Sequence, residues 1–189
     1  AFVEAALVDE FSRALGAANF IVAAVEFPAL ALARLVGEEP NLNAAEPYLL
    51  IETTSDGIAL LIIRNLNLYF NHFHSWRSIE EESGLKKISG EDFKTFLLKE
   101  IQKVLNFYSS RWGGSISTVV LITSEVSFEM AKIIESNFAL KIRNLSNPNF
   151  PALAPAWFPV LGSAFRGLVP RSLDNAISLT NAPVQVQYS

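Results

Sequence analysis

Apolar positions recur along this chain with two periods, and the switches between them predict its elements. In the first segment Val3, Leu7, Phe11, Ala14 and Leu15 fall at helical spacing, with Gly16 where a left-handed C-terminal cap belongs. Phe20 to Val25 is a short apolar, β-branched run that predicts a strand. Pro28 then opens a short helix that runs from Ala29 through Val36 and stops at Gly37. The acidic, Asn-rich stretch from Glu38 to Pro47 is a surface connection.

The strongest β signal follows, where Tyr48 to Thr53 and Ile58 to Ile63 flank Ser55-Asp56-Gly57, a turn whose glycine can take positive φ without steric strain. Arg64-Asn65 turns the chain into a third antiparallel strand, Leu66 to Phe73. Period-two alternation puts Leu66, Leu68, Phe70 and His72 on one face of it, and Asn67, Tyr69, Asn71 and Phe73 on the other. After a charged connection from Ser78 to Gly90, Ser89 and Asp92 form a capping-box pair for a long helix carrying Phe93, Leu97, Ile101, Val104, Leu105 and Tyr108. Gly113-Gly114 stops that helix. Thr118 to Thr123 reads as a buried parallel strand, Phe128 to Ser136 as a helix ending at Asn137, Ala139 to Asn144 as a strand and Pro155 to Gly167 as a closing helix. This order predicts an α/β fold, a mixed β-sheet flanked by helices in which three antiparallel strands are followed by αβαβα. Residues 1–170 form the domain and 171–189 an extended C-terminal tail, in which Val184 to Tyr188 alternates like an edge strand.

Composition narrows the function. The 189 residues suffice for one ordinary domain. Half of them are hydrophobic and 18% charged, with a mean hydropathy of +0.28, so either the core is very well filled or apolar surface meets a partner. A net charge of −4 with no Lys/Arg stripe argues against nucleic acid as a partner. The absence of cysteine excludes thiol catalysis, cysteine-bearing metal sites and disulfides, and fits a cytoplasmic setting. Phe20 to Val36, interrupted by Glu26, Pro28 and Arg34, is no membrane span. The chain opens Ala1-Phe2-Val3-Glu4, without a basic leader, and reads as a piece of something longer.

No assembled catalytic site is legible. His72 and His74 share a strand face, but no Asp, Glu or Cys of that strand completes a metal site, so the expected metal set is none. Gly162-Ser163-Ala164 lies within a helix and is not a nucleophile elbow. Glu80-Glu81-Glu82 lacks the alternating spacing of a calcium loop. Gly113-Gly114 leads from a helix into a strand, the reverse of a phosphate-cradling loop. Thr53-Thr54-Ser55-Asp56-Gly57 has hydroxyls, a carboxylate and a glycine that a phosphate and Mg²⁺ loop could use, although its Asp-Gly chemistry also suits a plain hairpin.

Taken together, three segments resemble one superfamily: Ala14-Leu15-Gly16 to Ala33-Arg34, Tyr48 to Tyr69, and Glu100 to Tyr108. A fourth is Gly162-Ser163-Ala164-Phe165-Arg166-Gly167-Leu168, similar to a closing Gly-x-Ala-x-Arg-Gly helix. In this order they resemble the second lobe of the actin-like (ribonuclease H-like) ATPases, and within them the PilM family of type IV pilus assembly proteins and the related cytoplasmic domain of the type II secretion L protein. The resemblance implies nucleotide loops at Ile51-Glu52-Thr53-Thr54-Ser55, continued by Asp56 and Gly57, and at Thr123-Ser124-Glu125. Both depart from the family: Thr54 replaces a glycine that lets phosphate approach the backbone, and Glu125 puts a carboxylate where adenosine would lie.

The resemblance therefore implies a non-catalytic assembly component of a pilus or secretion platform, without cofactor, at the inner face of the inner membrane. Ala176-Ile177-Ser178-Leu179-Thr180 is similar to the Ile-Asn-Leu-Leu-Pro segment of the family's bitopic partner, which makes Ile177, Ser178 and Leu179 candidate partner-binding residues and implies a membrane helix beyond Ser189. Pairing of the tail edge would give a homodimer. The alternative is half of an actin-like ATPase, with Asp56, Thr53 and Thr54 holding Mg²⁺ and phosphate. A ribonuclease H-like nuclease has too few strand carboxylates, Glu52 and Asp56, to hold two metals.

Overall fold

A computed structural model describes residues 4–40, 42–43, 45–84, 88–123, 127–145 and 153–179. Along the chain come α1 (Ala5–Ala17), α2 (Pro28–Gly37), β1 (Tyr48–Thr53), β2 (Gly57–Arg64), β3 (Asn67–Ser75), α3 (Trp76–Ser83), α4 (Gly90–Trp112), β4 (Thr118–Ile122), α5 (Ser127–Asn137), β5 (Lys141–Asn144) and α6 (Phe158–Gly167). One 3₁₀ turn, Pro155–Trp157, leads into α6 and another, Arg171–Leu173, follows it.

β1, β2 and β4 are apolar on both faces, and such strands require cover on both sides. The five-stranded sheet, in order β3-β2-β1-β4-β5, receives it. β1 runs antiparallel to β2 and parallel to β4, while β2 pairs antiparallel with β3 and β4 parallel with β5. On one face Leu49, Ile51, Ile58, Leu60 and Ile62 pack with Leu97, Ile101, Val104 and Tyr108 of α4 and Met130 and Ile134 of α5. On the other, Tyr48, Leu50, Leu61, Ile63, Val120 and Ile122 meet Leu32, Leu35 and Val36 of α2 and Phe158 of α6. Each fully buried Leu or Ile contributes about 1.5–3 kcal/mol by leaving water.

Local signals account for most element ends. The capping box is formed: Ser89 Oγ accepts from the Asp92 amide and Asp92 Oδ2 accepts from the Ser89 amide. Gly113, at φ 70°, closes α4. The end of α1 differs from expectation. Gly16 is helical, and the left-handed residue is Asn19 at φ 62°, with Asn19 N–H donating to Gly16 O and Phe20 N–H to Leu15 O, a Schellman pattern shifted by three residues.

Three other expectations are corrected. Phe20 to Val25 has no regular structure and joins no sheet; Phe20 and Ile21 are exposed, and beyond the Phe20 bond to α1 the segment is held at Val25. Within the connection from Ser78 to Gly90 lies most of α3, which starts on Ser75, whose Oγ accepts from the Ser78 amide, ends on left-handed Gly84 and buries Ile79. The face split of β3 also breaks at a bulge. Ile62 pairs with Phe70 but Ile63 with Leu68, so the extra residue Tyr69 turns Leu68 towards the α2 side while Phe70 and His72 look towards α4. The edge-strand expectation for Val184 to Tyr188 lies outside the described residues.

Candidate functional site

In open sheets of this kind ligands bind beyond the carboxyl ends of parallel strands, and there the chain has an open cleft of about 1100 Å³. Its floor is the end of β1 and β4: Glu52, Thr53, Ile122 and Thr123. Phe27, Pro28 and Ala29 at the start of α2 form one wall, Pro155, Ala156 and Pro159 another, and Phe73, Trp76 and Phe93 the remainder. Glu52 is buried, and that burial raises its carboxyl pKa. Thr123 Oγ1 is buried with no hydrogen-bond partner among the described residues.

The turn at the mouth of the cleft brings Thr53, Thr54, Ser55, Asp56 and Gly57 together as expected, yet its groups face one another. The Thr54 amide donates to Gly57 O (2.9 Å), and the Asp56 amide donates to Thr54 Oγ1 (3.2 Å). Ser55 Oγ donates to Asp56 Oδ1 (3.2 Å). Trp76 clamps the turn from outside: its amide donates to Asp56 O and its indole Nε1 to Thr54 O, both at 3.0 Å. A phosphate-binding loop directs amides outward, whereas the Thr54 and Asp56 amides are engaged inside the turn and two carboxylates, Glu52 and Asp56, line the same cleft. The turn therefore fits a nucleotide phosphate poorly. Gly57 is needed for a different reason from the expected one. It has no positive φ; a Cβ there would collide with the carbonyl oxygen of His74 on β3. Ser124 and Glu125 lie outside the described residues.

A second polar assembly stands behind α2 and α6. These helices cross so closely that a Cβ on Gly162 would meet the Ala31 carbonyl. Arg34 donates to Gly162 O (2.7 Å) and forks onto both oxygens of Glu26, each at 2.9 Å. Arg166 reaches Glu26 Oε2 and Asp174 Oδ2 at 2.9 Å, and it also donates to the carbonyls of Ala176 (2.8 Å) and Ile177 (3.0 Å). Burial pushes the Glu26 carboxyl up, but hydrogen bonds and charge from Arg34 and then Arg166 outweigh it and hold the pKa below the usual value. Sequence reasoning singled out the segments holding Arg34 and Arg166 without pairing them, and it missed Glu26, the carboxylate they share.

This assembly fixes the candidate partner-binding residues. Ser178 Oγ accepts from the Val25 amide (3.3 Å) and Leu179 N–H donates to Val25 O (2.7 Å), while the Ile177 side chain is 70% exposed. The Ile177 carbonyl, the Ser178 hydroxyl and the Leu179 amide are thus engaged by their own chain.

No protein-family model and no curated protein matches the sequence. Among solved structures, the PilM-PilN type IV pilus biogenesis complex superimposes with a TM-score of 0.51 at 15% identity, over 76% of this chain and 52% of that one. The fold is actin-like. An Alp12 filament (TM-score 0.44, 10% identity, 71% of this chain and 50% of that one) and an apo psk41 ParM (0.41, 10%, 74% and 49%) are further matches. The chain spans about half the length of these actin-like neighbours. Among the described residues of this actin-like domain, no helix is long and apolar enough to cross a membrane.

Proposed function

We propose that this chain is a non-catalytic assembly component of a type IV pilus or type II secretion platform, the second lobe of an actin-like protein that works by binding other proteins at the inner face of the inner membrane. The observation that carries the non-catalytic part is the turn at Thr53 to Gly57, whose Thr54 and Asp56 amides are engaged within it. The likeness of fold to the PilM-PilN complex supports the setting. Partner binding is supported by α1: Val8 is its one buried residue, while Leu7, Phe11 and Leu15 are exposed at successive i, i+4 positions, Phe11 by 62%. An apolar stripe of this kind, continued by exposed Phe20 and Ile21, is suited to a partner's apolar face.

The test is calorimetric titration of the chain with the cytoplasmic juxtamembrane peptide of a pilus or secretion membrane protein. Saturable heat that falls at least tenfold in affinity in Phe11→Ser supports the proposal, and absence of heat with such peptides counts against it.

A second reading, half of an actin-like ATPase that binds Mg-ATP once its other lobe is restored, is favoured by one observation. The buried Thr123 hydroxyl without a partner among the described residues and the raised carboxyl of Glu52 sit on a cleft large enough for a ligand.

A further inference from the structure

On the opposite side of the sheet from α2, the bulge in β3 aims Phe70, His72 and His74 at α4. The helix answers with Glu100, which occupies the same stripe as Leu97, Ile101 and Val104 and is buried with them. A carboxylate at a core position is costly unless it is partnered, and this one is divided between two kinds of partner. Lys103 Nζ holds Oε1 at 2.6 Å, and Oε2 lies 3.2 Å from His74 Nε2. The His72 and His74 rings stand perpendicular, centroids 4.1 Å apart, and Phe96 packs edge-on against His74 at 5.0 Å. One ligand atom from each of His72, His74 and Glu100 lies within 4.8 Å of the others, and among the described residues this is the one such group of three metal-ligating side chains.

We propose that His72, His74 and Glu100 bind a divalent transition-metal ion, zinc being the expected occupant, which pins the edge strand β3 to α4. Two imidazoles and a carboxylate are a donor set that suits zinc, with ligand distances of about 2.0–2.2 Å. Tetrahedral binding draws the donors somewhat closer together than they stand, and His72, on the exposed side, supplies that movement. The same open side leaves a fourth position for water. Lys103 need not leave, because it holds the other oxygen of Glu100 and its own side chain is 57% exposed. A plain ion pair of Glu100 with His74 and Lys103 explains the buried carboxylate but gives His72 no part, and this separates the two accounts.

The experiment is competition of the chain against a chromophoric chelator for Zn²⁺, with Co²⁺ absorption as a report of geometry. One equivalent should bind, Co²⁺ should give the intense visible bands of a tetrahedral site, and zinc should raise the Tm. His72→Ala should weaken binding by about tenfold or more and abolish the rise in Tm, while the metal-free variant melts where the metal-free wild type does. His74→Ala should weaken binding similarly. Absence of saturable binding, or an affinity unchanged in both variants, overturns the proposal.

Discussion

Two buried charged clusters flank the same sheet, and they are closed to different degrees. On the α2/α6 side, Glu26 is 6% exposed and is met by two guanidinium forks whose remaining donors go to Asp174 and to the carbonyls of Gly162, Ala176 and Ile177. On the α4 side, Glu100 is equally buried, but its partners are one exposed lysine and one imidazole, with a second imidazole standing beside them at the surface. A cluster in which rigid forks occupy the carboxylates has no room for another ligand and acts as a lock. One completed from the solvent side by mobile donors can accept an ion. Burial of a carboxylate thus separates neither case; the geometry of what faces it does.

The largest effect should come from breaking the lock. Arg166→Met leaves Glu26 with Arg34 and Ser163 as its side-chain partners and removes the guanidinium from Asp174 and the 176–177 carbonyls, so urea unfolding should show a loss of about 3–5 kcal/mol. Arg166→Lys keeps the charge but cannot reproduce the fork, and it should fall between the variant and the wild type. If Arg166→Met were as stable as the wild type, the cluster would not be a lock.

Gly162→Ala should come next. Its methyl group must push α6 off the Ala31 carbonyl and lengthen the bond from Arg34 to Gly162 O, which should destabilise the domain by about 1–3 kcal/mol in the same assay.

A pH series should then show a smaller effect. Because Arg34 and Arg166 hold the Glu26 pKa below its unfolded value, Glu26 contributes stability that is present above the ordinary carboxylate range and is lost as the pH falls through the lower folded value. Wild-type stability should decline on acidification in that window, and Glu26→Gln, already destabilised, should decline less. Equal slopes would remove Glu26 from the account.

Much of the fold was legible because its signals are local. The continuous apolar runs of β1 and β2 and the Ser89/Asp92 box need only neighbours in sequence to be read. Phe20 to Val25 failed for the complementary reason. β-branched residues favour an extended backbone, but a strand also needs a partner strand, and this segment bonds instead to Leu15 at its start and to Ser178 and Leu179 at its end. α3 escaped because Ile79 alone is buried among its described side chains, too little to show a period. At the sites, the turn around Asp56 could be located from its residue types, but the direction of its amides could not, since Trp76 and the hairpin register set it. His72 and His74 were visible as a pair; Glu100, 26 residues beyond His74 and on another element, became their neighbour only through the packing of α4 on β3.

The most direct measurement is calorimetric titration of this chain with Mg-ATP. The account predicts no heat of binding, because the Thr54 and Asp56 amides are engaged within their turn and Glu52 and Asp56 line the cleft. Saturable binding at about micromolar affinity, near −8 kcal/mol, lost in Thr123→Val, would contradict it and place the ATPase reading first.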